Sequence, residues 1–253
     1  MWFPSVGLGL DTLDVCALSL GKTSRIRVGT GVIRPAEYGY DELLARVRTL
    51  SEFSGGRFIL GVGTGASIGR AALDGLAQVA RRVRADYMDS TRPPIFLAAL
   101  RRRALGVACE NADGAILNFC LPAYVKKIAD TLASDPDFSL ACYIELFFAE
   151  NDERATEMLV DEFQNYNRIV QYHAMFDAIG VSEVIDGLAK GPRRAVSESL
   201  REISQANPSD SELRELVGRF RSAGVNLPVV YPYVAGSEDY KVEVMRRLAS
   251  ALA

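Results

Sequence analysis

Apolar and polar positions alternate along this chain with two distinct periods. Short, nearly continuous apolar runs such as IRVGTGVI, RFILGVG and GAILNF are rich in β-branched residues and carry few polar interruptions. Strands covered on both faces read this way, so the runs predict a parallel sheet packed under helices. Strands are predicted at Arg25–Val32, Arg57–Val62, Pro94–Leu100, Gly114–Phe119, Phe138–Phe148 and Leu227–Tyr233, with a stub at Trp2–Val6. Helical spacing fills the intervals Asp11–Leu20, Tyr40–Phe53, Arg70–Tyr87, Arg103–Asn111, Ala123–Ala133, Asn151–Ala178 and Ser211–Ala223. Asn151-Asp152-Glu153 places acids in a first turn, where the helix dipole favours them. A polar stretch punctuated by Gly and Pro, near 182–209, predicts a helical insertion outside the main fold. Strands alternating with helices allow either an open doubly wound sheet or a closed (β/α) barrel, and periodicity does not separate the two.

Composition narrows the function classes. With 253 residues, 49% hydrophobic and 24% charged, the chain has the profile of a globular protein with a full core. Without a linker or repeat, a single domain over 1–253 is expected. The net charge of −3 gives no general attraction to nucleic acid or to an anionic membrane. No apolar run is long enough to cross a bilayer, and Met1-Trp2-Phe3-Pro4 lacks the pattern of a signal peptide, so a cytoplasmic location is expected. Cys16, Cys109, Cys120 and Cys142 have no CxxC spacing and read as small buried hydrophobes. The lone histidine, His173, excludes a zinc site of two or three histidines, and a nucleophile elbow GxSxG is absent. No metal is expected, and any chemistry falls to a cofactor.

Two motifs carry most of the information. In TSRIRVGTGVIRP (Thr23–Pro35) a strand ends in Gly29-Thr30-Gly31, and in LSEFSGGRFILGVGTG (Leu50–Gly65) the next strand opens at Gly63-Thr64-Gly65. Either alone is a turn with glycines. A lone GxGxG is weak evidence for dinucleotide binding, and no acidic residue follows in the Rossmann manner. Together and in this order they resemble the luciferase-like monooxygenase superfamily, in particular its coenzyme F420-dependent branch around methylenetetrahydromethanopterin reductase. The resemblance continues through RPPIFLAALRRRALGVACENADGAIL (Arg92–Leu117), weakens after Asn118, and returns at SAGVNLPVVYP (Ser222–Pro232).

The resemblance implies an α/β fold, a (β/α) TIM-type barrel, with the first βα unit missing before Trp2. It implies a non-prolyl cis peptide at Gly31–Val32 and a cofactor, F420 or alternatively FMN. Gly31, Val32, Gly63, Thr64, Gly65, Leu100, Arg101, Arg102, Arg103 and Asn118 would bind it. The arginines open a helix, where free N–H groups, dipole and guanidinium groups suit a phosphate. The implied activity is hydride transfer between the cofactor and a small organic substrate, and the implied assembly is a homodimer. The alternative is a degenerate flavin-binding barrel serving as a partner subunit. It is motivated by the lack of the family's usual acids, since Pro4-Ser5-Val6 and Ala66-Ser67 stand at those places. Catalytic residues are therefore unassigned. Elsewhere, Glu145 sits mid-strand, where a salt bridge to an arginine is the expected resolution. His173 is expected on a helix surface. Tyr231 and Tyr233 suit either a pocket wall or the core.

Overall fold

The computed structural model describes residues 1–5, 9–65, 67–87, 92–132, 137–187, 198 and 200–252. Its fold class is α/β. Parallel strands alternate with helices along the chain, in the manner of a TIM-type (β/α) barrel. Contact clustering divides the chain into two compact units, one from Met1–Ile116 with Asp135–Ser139, the other from Leu117–Ser134 with Leu140–Ala253.

In the first unit the strands β1 (Trp2–Phe3), β2 (Val28–Thr30), β3 (Phe58–Val62), β4 (Ile95–Ala98) and the start of β5 (Gly114–Asn118) lie side by side and parallel. All five residues of β3 are buried, which explains why FILGV reads as an unbroken apolar run. Helices α1 (Thr12–Lys22), α2 (Tyr40–Phe53), α3 (Arg70–Asp86) and α4 (Arg102–Asn111) connect them. Asp11 caps α1 by accepting from the Leu13 and Asp14 amides, and Arg46 of α2 grips the same carboxylate at 2.9 and 3.0 Å. Asp113 ties β4 to β5: it takes the Ile95 amide at 2.7 Å and both ends of the Arg92 guanidinium at 2.6 and 2.8 Å. The single tryptophan, Trp2, packs edge-on against Phe96, with ring centres 5.4 Å apart.

In the second unit β6 (Ser139–Phe148) runs between β7 (Gln205–Ala206) and β8 (Leu227–Val234), all parallel. Around them lie α5 (Pro122–Leu132), α6 (Asp152–Asn167), α7 (Val170–Ile179), α8 (Ser182–Gly187), α9 (Asp210–Ser222) and α10 (Glu238–Ala251). Three differences from the sequence reading stand out. The helix expected over Asn151–Ala178 breaks at Arg168–Ile169, where Ile169 turns extended. The break lets Phe119 pack edge-on to Phe163 and tilted on Tyr166 of α6 while α7 brings Phe176 to the same cluster, so packing overrides a continuous helical pattern. The stretch expected as an insertion contains α8 and a strand of the sheet, β7; its residues 188–197 and 199 lie outside the described ones. The last helix, α10, was not foreseen, because only Val244 and Leu248 on it are buried and the apolar period is faint. Cys16, Cys120 and Cys142 are buried as expected, but Cys109 is exposed on α4. Among the described residues no helix is long and apolar enough to cross a membrane.

Candidate functional site

The tips of β2 and β3 are built around missing side chains. Thr30 is fully buried, and its hydroxyl donates to the Gly61 carbonyl at 2.7 Å while accepting the Gly61 amide at 2.9 Å. That side chain replaces ladder bonds and lets the two backbones close in. A Cβ on Gly61 would fall 2.0 Å from the Thr30 carbonyl oxygen. Beyond this point Gly31 donates to the Phe3 carbonyl, Ile33 to Gly61 and Gly63 to Ile33, at 2.8, 3.0 and 2.9 Å. The Gly31–Val32 peptide bond is cis, at the place the resemblance implies. Val32 lies against bare Gly63, where a Cβ would come within 2.5 Å of its Cγ2. Gly65, at φ +60°, leaves room for the Arg34 side chain to cross it.

The same unit holds the arginines. Leu100 is half-buried, and Arg101, Arg102 and Arg103 are exposed. Arg101 is the extended N-cap of α4, not part of its first turn, and no side chain caps that end. Its first amides are therefore open to an anion, and among the described residues none of the three arginines forms an ion pair. Gly31, Val32, Gly63, Thr64, Gly65 and Leu100–Arg103 thus share the unit, with Asn118 in the other.

A carboxylate that sequence reasoning missed also belongs here. The 3₁₀ turn Pro35–Glu37, just past β2, presents Glu37 to Ser5, whose hydroxyl donates at 3.3 Å; Arg34 pairs with Glu37 at 2.5 Å and reaches the same hydroxyl at 3.3 Å. The only sequence signal is Pro35 opening a turn that carries an acid two residues later. Val6 and Ala66, two of the positions noted for lacking the family's acids, lie outside the described residues.

The second unit contains a buried polar cluster. Glu145 is 3% exposed and finds no arginine or lysine among the described residues; the expected salt bridge is absent. Its backbone carbonyl takes the Ser204 hydroxyl at 2.6 Å, but the side-chain Oε2 has no hydrogen-bond partner, and neither has Asn118 Oδ1. Asn118 Nδ2 donates to the Tyr172 hydroxyl at 3.2 Å, and Tyr233 donates to Glu162 at 2.8 Å. Tyr231 stands opposite Glu145 across the β6–β8 pairing, and Tyr233 stacks flat on Phe147 at 4.8 Å. The pair thus belongs to this cluster and not to a simple apolar core. His173 is exposed on α7, as expected, with Asn167 at 2.9 Å.

Burial pushes the Glu145 carboxyl well above the usual carboxylate range, nearby Glu162 adds to the effect, and the neighbouring polar groups of Asn118 and Tyr233 oppose it. The folded state therefore keeps a proton that the unfolded chain releases above its ordinary value of 4.5. Stability is fully present below that pH and falls as pH rises toward the folded-state value. Glu145→Gln removes this loss, so its urea midpoint is expected to vary less than wild type from about pH 5 to 8 and to lie higher at neutral pH. Parallel pH curves for the two proteins would show that Glu145 ionises normally.

Comparison with known proteins places these features. Residues 1–86 match a family model described as luciferase-like monooxygenase. No curated protein matches the chain. Among solved structures, an F420-dependent secondary alcohol dehydrogenase in complex with an F420–acetone adduct superposes with a TM-score of 0.72 at 14% identity, covering 96% of this chain and 84% of that one. A coenzyme F420-dependent tetrahydromethanopterin reductase from Methanopyrus kandleri gives 0.65 at 17% identity, over 94% and 86%. The monooxygenase RslO1 from Streptomyces bottropensis gives 0.66 at 17%, over 96% and 82%. Identities this low speak for the fold alone. Residues 1–86 are thus similar to the luciferase-like monooxygenases in sequence, and the fold is shared with these three solved structures over 94–96% of the chain.

Proposed function

We propose that this protein is an enzyme, an F420- or FMN-dependent oxidoreductase acting on a small organic substrate. One observation carries the reading: bare backbone at the tips of β2 and β3 shares a compact unit with a helix start that has no side-chain cap and bears three arginines without an ion pair among the described residues. Glycines without side chains fit a flat ring, and the open amides with Arg101–Arg103 fit its phosphate. The likeness to F420-dependent enzymes and to a monooxygenase supports the same choice of cofactor.

When bound, the cofactor would supply the hydride chemistry. Gly31, Val32, Gly63, Thr64 and Gly65 would hold the ring, Leu100–Arg103 the phosphate, and the resemblance adds Asn118. The Ser5 hydroxyl donates to Glu37 at 3.3 Å while Arg34 pairs with the same carboxylate, so Glu37 would act here as a proton acceptor. We also propose a homodimer, which sedimentation of the purified chain would test.

Titration with F420 and with FMN, followed by fluorescence quenching, tests the proposal. Micromolar binding of either is expected. Binding of neither would overturn this reading and favour the alternative, a degenerate barrel acting as a partner subunit.

A further inference from the structure

Apart from Asn118, the cluster around Glu145 has no part in the proposed cofactor binding. Glu145 and Glu162 are carboxyl groups with no lysine or arginine paired to either among the described residues. Glu145 is more than nine-tenths buried, and two acceptors, its Oε2 and Asn118 Oδ1, are buried without a donor. Leaving such groups unmatched is costly, and a ligand with several N–H donors would satisfy both. The walls are aromatic: Tyr166 and Tyr172 meet at 4.5 Å, and Tyr231 and Tyr233 at 5.1 Å. The four tyrosines and Asn118 are half-buried residues, so parts of the cluster lie near the protein surface. Tyrosine faces attract cations, while an anion would meet two carboxyl groups.

We propose that the Glu145–Asn118 cluster binds an organic ammonium ion, a protonated primary amine on an aromatic or apolar stem. Ammonium N–H groups would donate to Glu145 Oε2 and Asn118 Oδ1, with the stem against the tyrosines. The groups facing Glu145 are Asn118 from β5, Tyr143 on β6 itself, Glu162 and Tyr166 from α6, Tyr172 from α7, and Tyr231 and Tyr233 from β8. None is a cation, so the ligand would bring the only positive charge to this set.

The proposal does not depend on a flavin, and the test uses the full chain without cofactor. Benzylamine and benzyl alcohol, alike in shape and different in charge, are titrated calorimetrically at pH 7 in phosphate. The amine is expected to bind about tenfold more tightly. Glu145→Gln is expected to abolish the preference. Equal affinity for amine and alcohol, or no binding of either, would overturn the proposal. The wild-type comparison of amine with alcohol decides the matter even if the variant does not fold.

Discussion

Replacing Gly61 by alanine is expected to cost about 4 kcal/mol of stability. The new methyl would stand 2.0 Å from the Thr30 carbonyl oxygen and 3.1 Å from Ile116 Cδ1. The first of these is main chain inside a sheet, with no flexible end to move aside. The strands would have to part, and parting them breaks the two bonds of 2.7 and 2.9 Å that the Thr30 hydroxyl makes to Gly61. Strain of overpacking and two lost buried bonds together reach that size. Gly218 on α9 is the control: nothing lies within 4 Å of its would-be Cβ, and alanine there should be neutral or stabilising by up to about 1 kcal/mol. Urea midpoints of the two variants check the contrast. A Gly61→Ala protein as stable as wild type would mean that β2 and β3 are further apart than described.

The triple replacement of Arg101, Arg102 and Arg103 by alanine should weaken FMN about a hundredfold while leaving thermal stability within about 1 kcal/mol of wild type. The first half follows from losing charged donors to a phosphate, of which two at about 1.5 kcal/mol each account for the hundredfold. The second follows from exposure and from the lack of ion pairs to these side chains among the described residues. Riboflavin, which is FMN without the phosphate, separates charge at the phosphate from every other effect. The variant should bind riboflavin as wild type does, so the FMN-to-riboflavin ratio should fall toward one. An unchanged ratio would place the phosphate away from α4.

Legibility in the sequence followed burial. β3 and β6 are buried along nearly their whole length, and their apolar runs announced them. β7 has two half-buried residues, held by backbone pairing to β6 and by Asn207, whose amide donates to Phe147 at 2.8 Å. Backbone pairing of that kind writes nothing into side-chain pattern. The glycines of the β2 and β3 tips were visible because their function is to be absent as side chains. Glu37 was not visible as a site residue, because its meeting with Ser5 joins positions 32 residues apart. Glu145 was noticed for the cost of a carboxyl in a strand, yet the nature of its neighbours was set by α6, α7 and β8, which no local spacing encodes.

Trp2, edge-on to Phe96, is the chain's only indole, and it lies in the unit that carries the glycine tips. The tyrosine cluster of the other unit supplies a separate chromophore. Emission excited at the red edge of absorption would therefore report on the first unit, and near-ultraviolet dichroism from the phenols mainly on the second, which holds seven of the ten tyrosines. Melting curves recorded both ways would reveal whether the halves come apart in one event or in two.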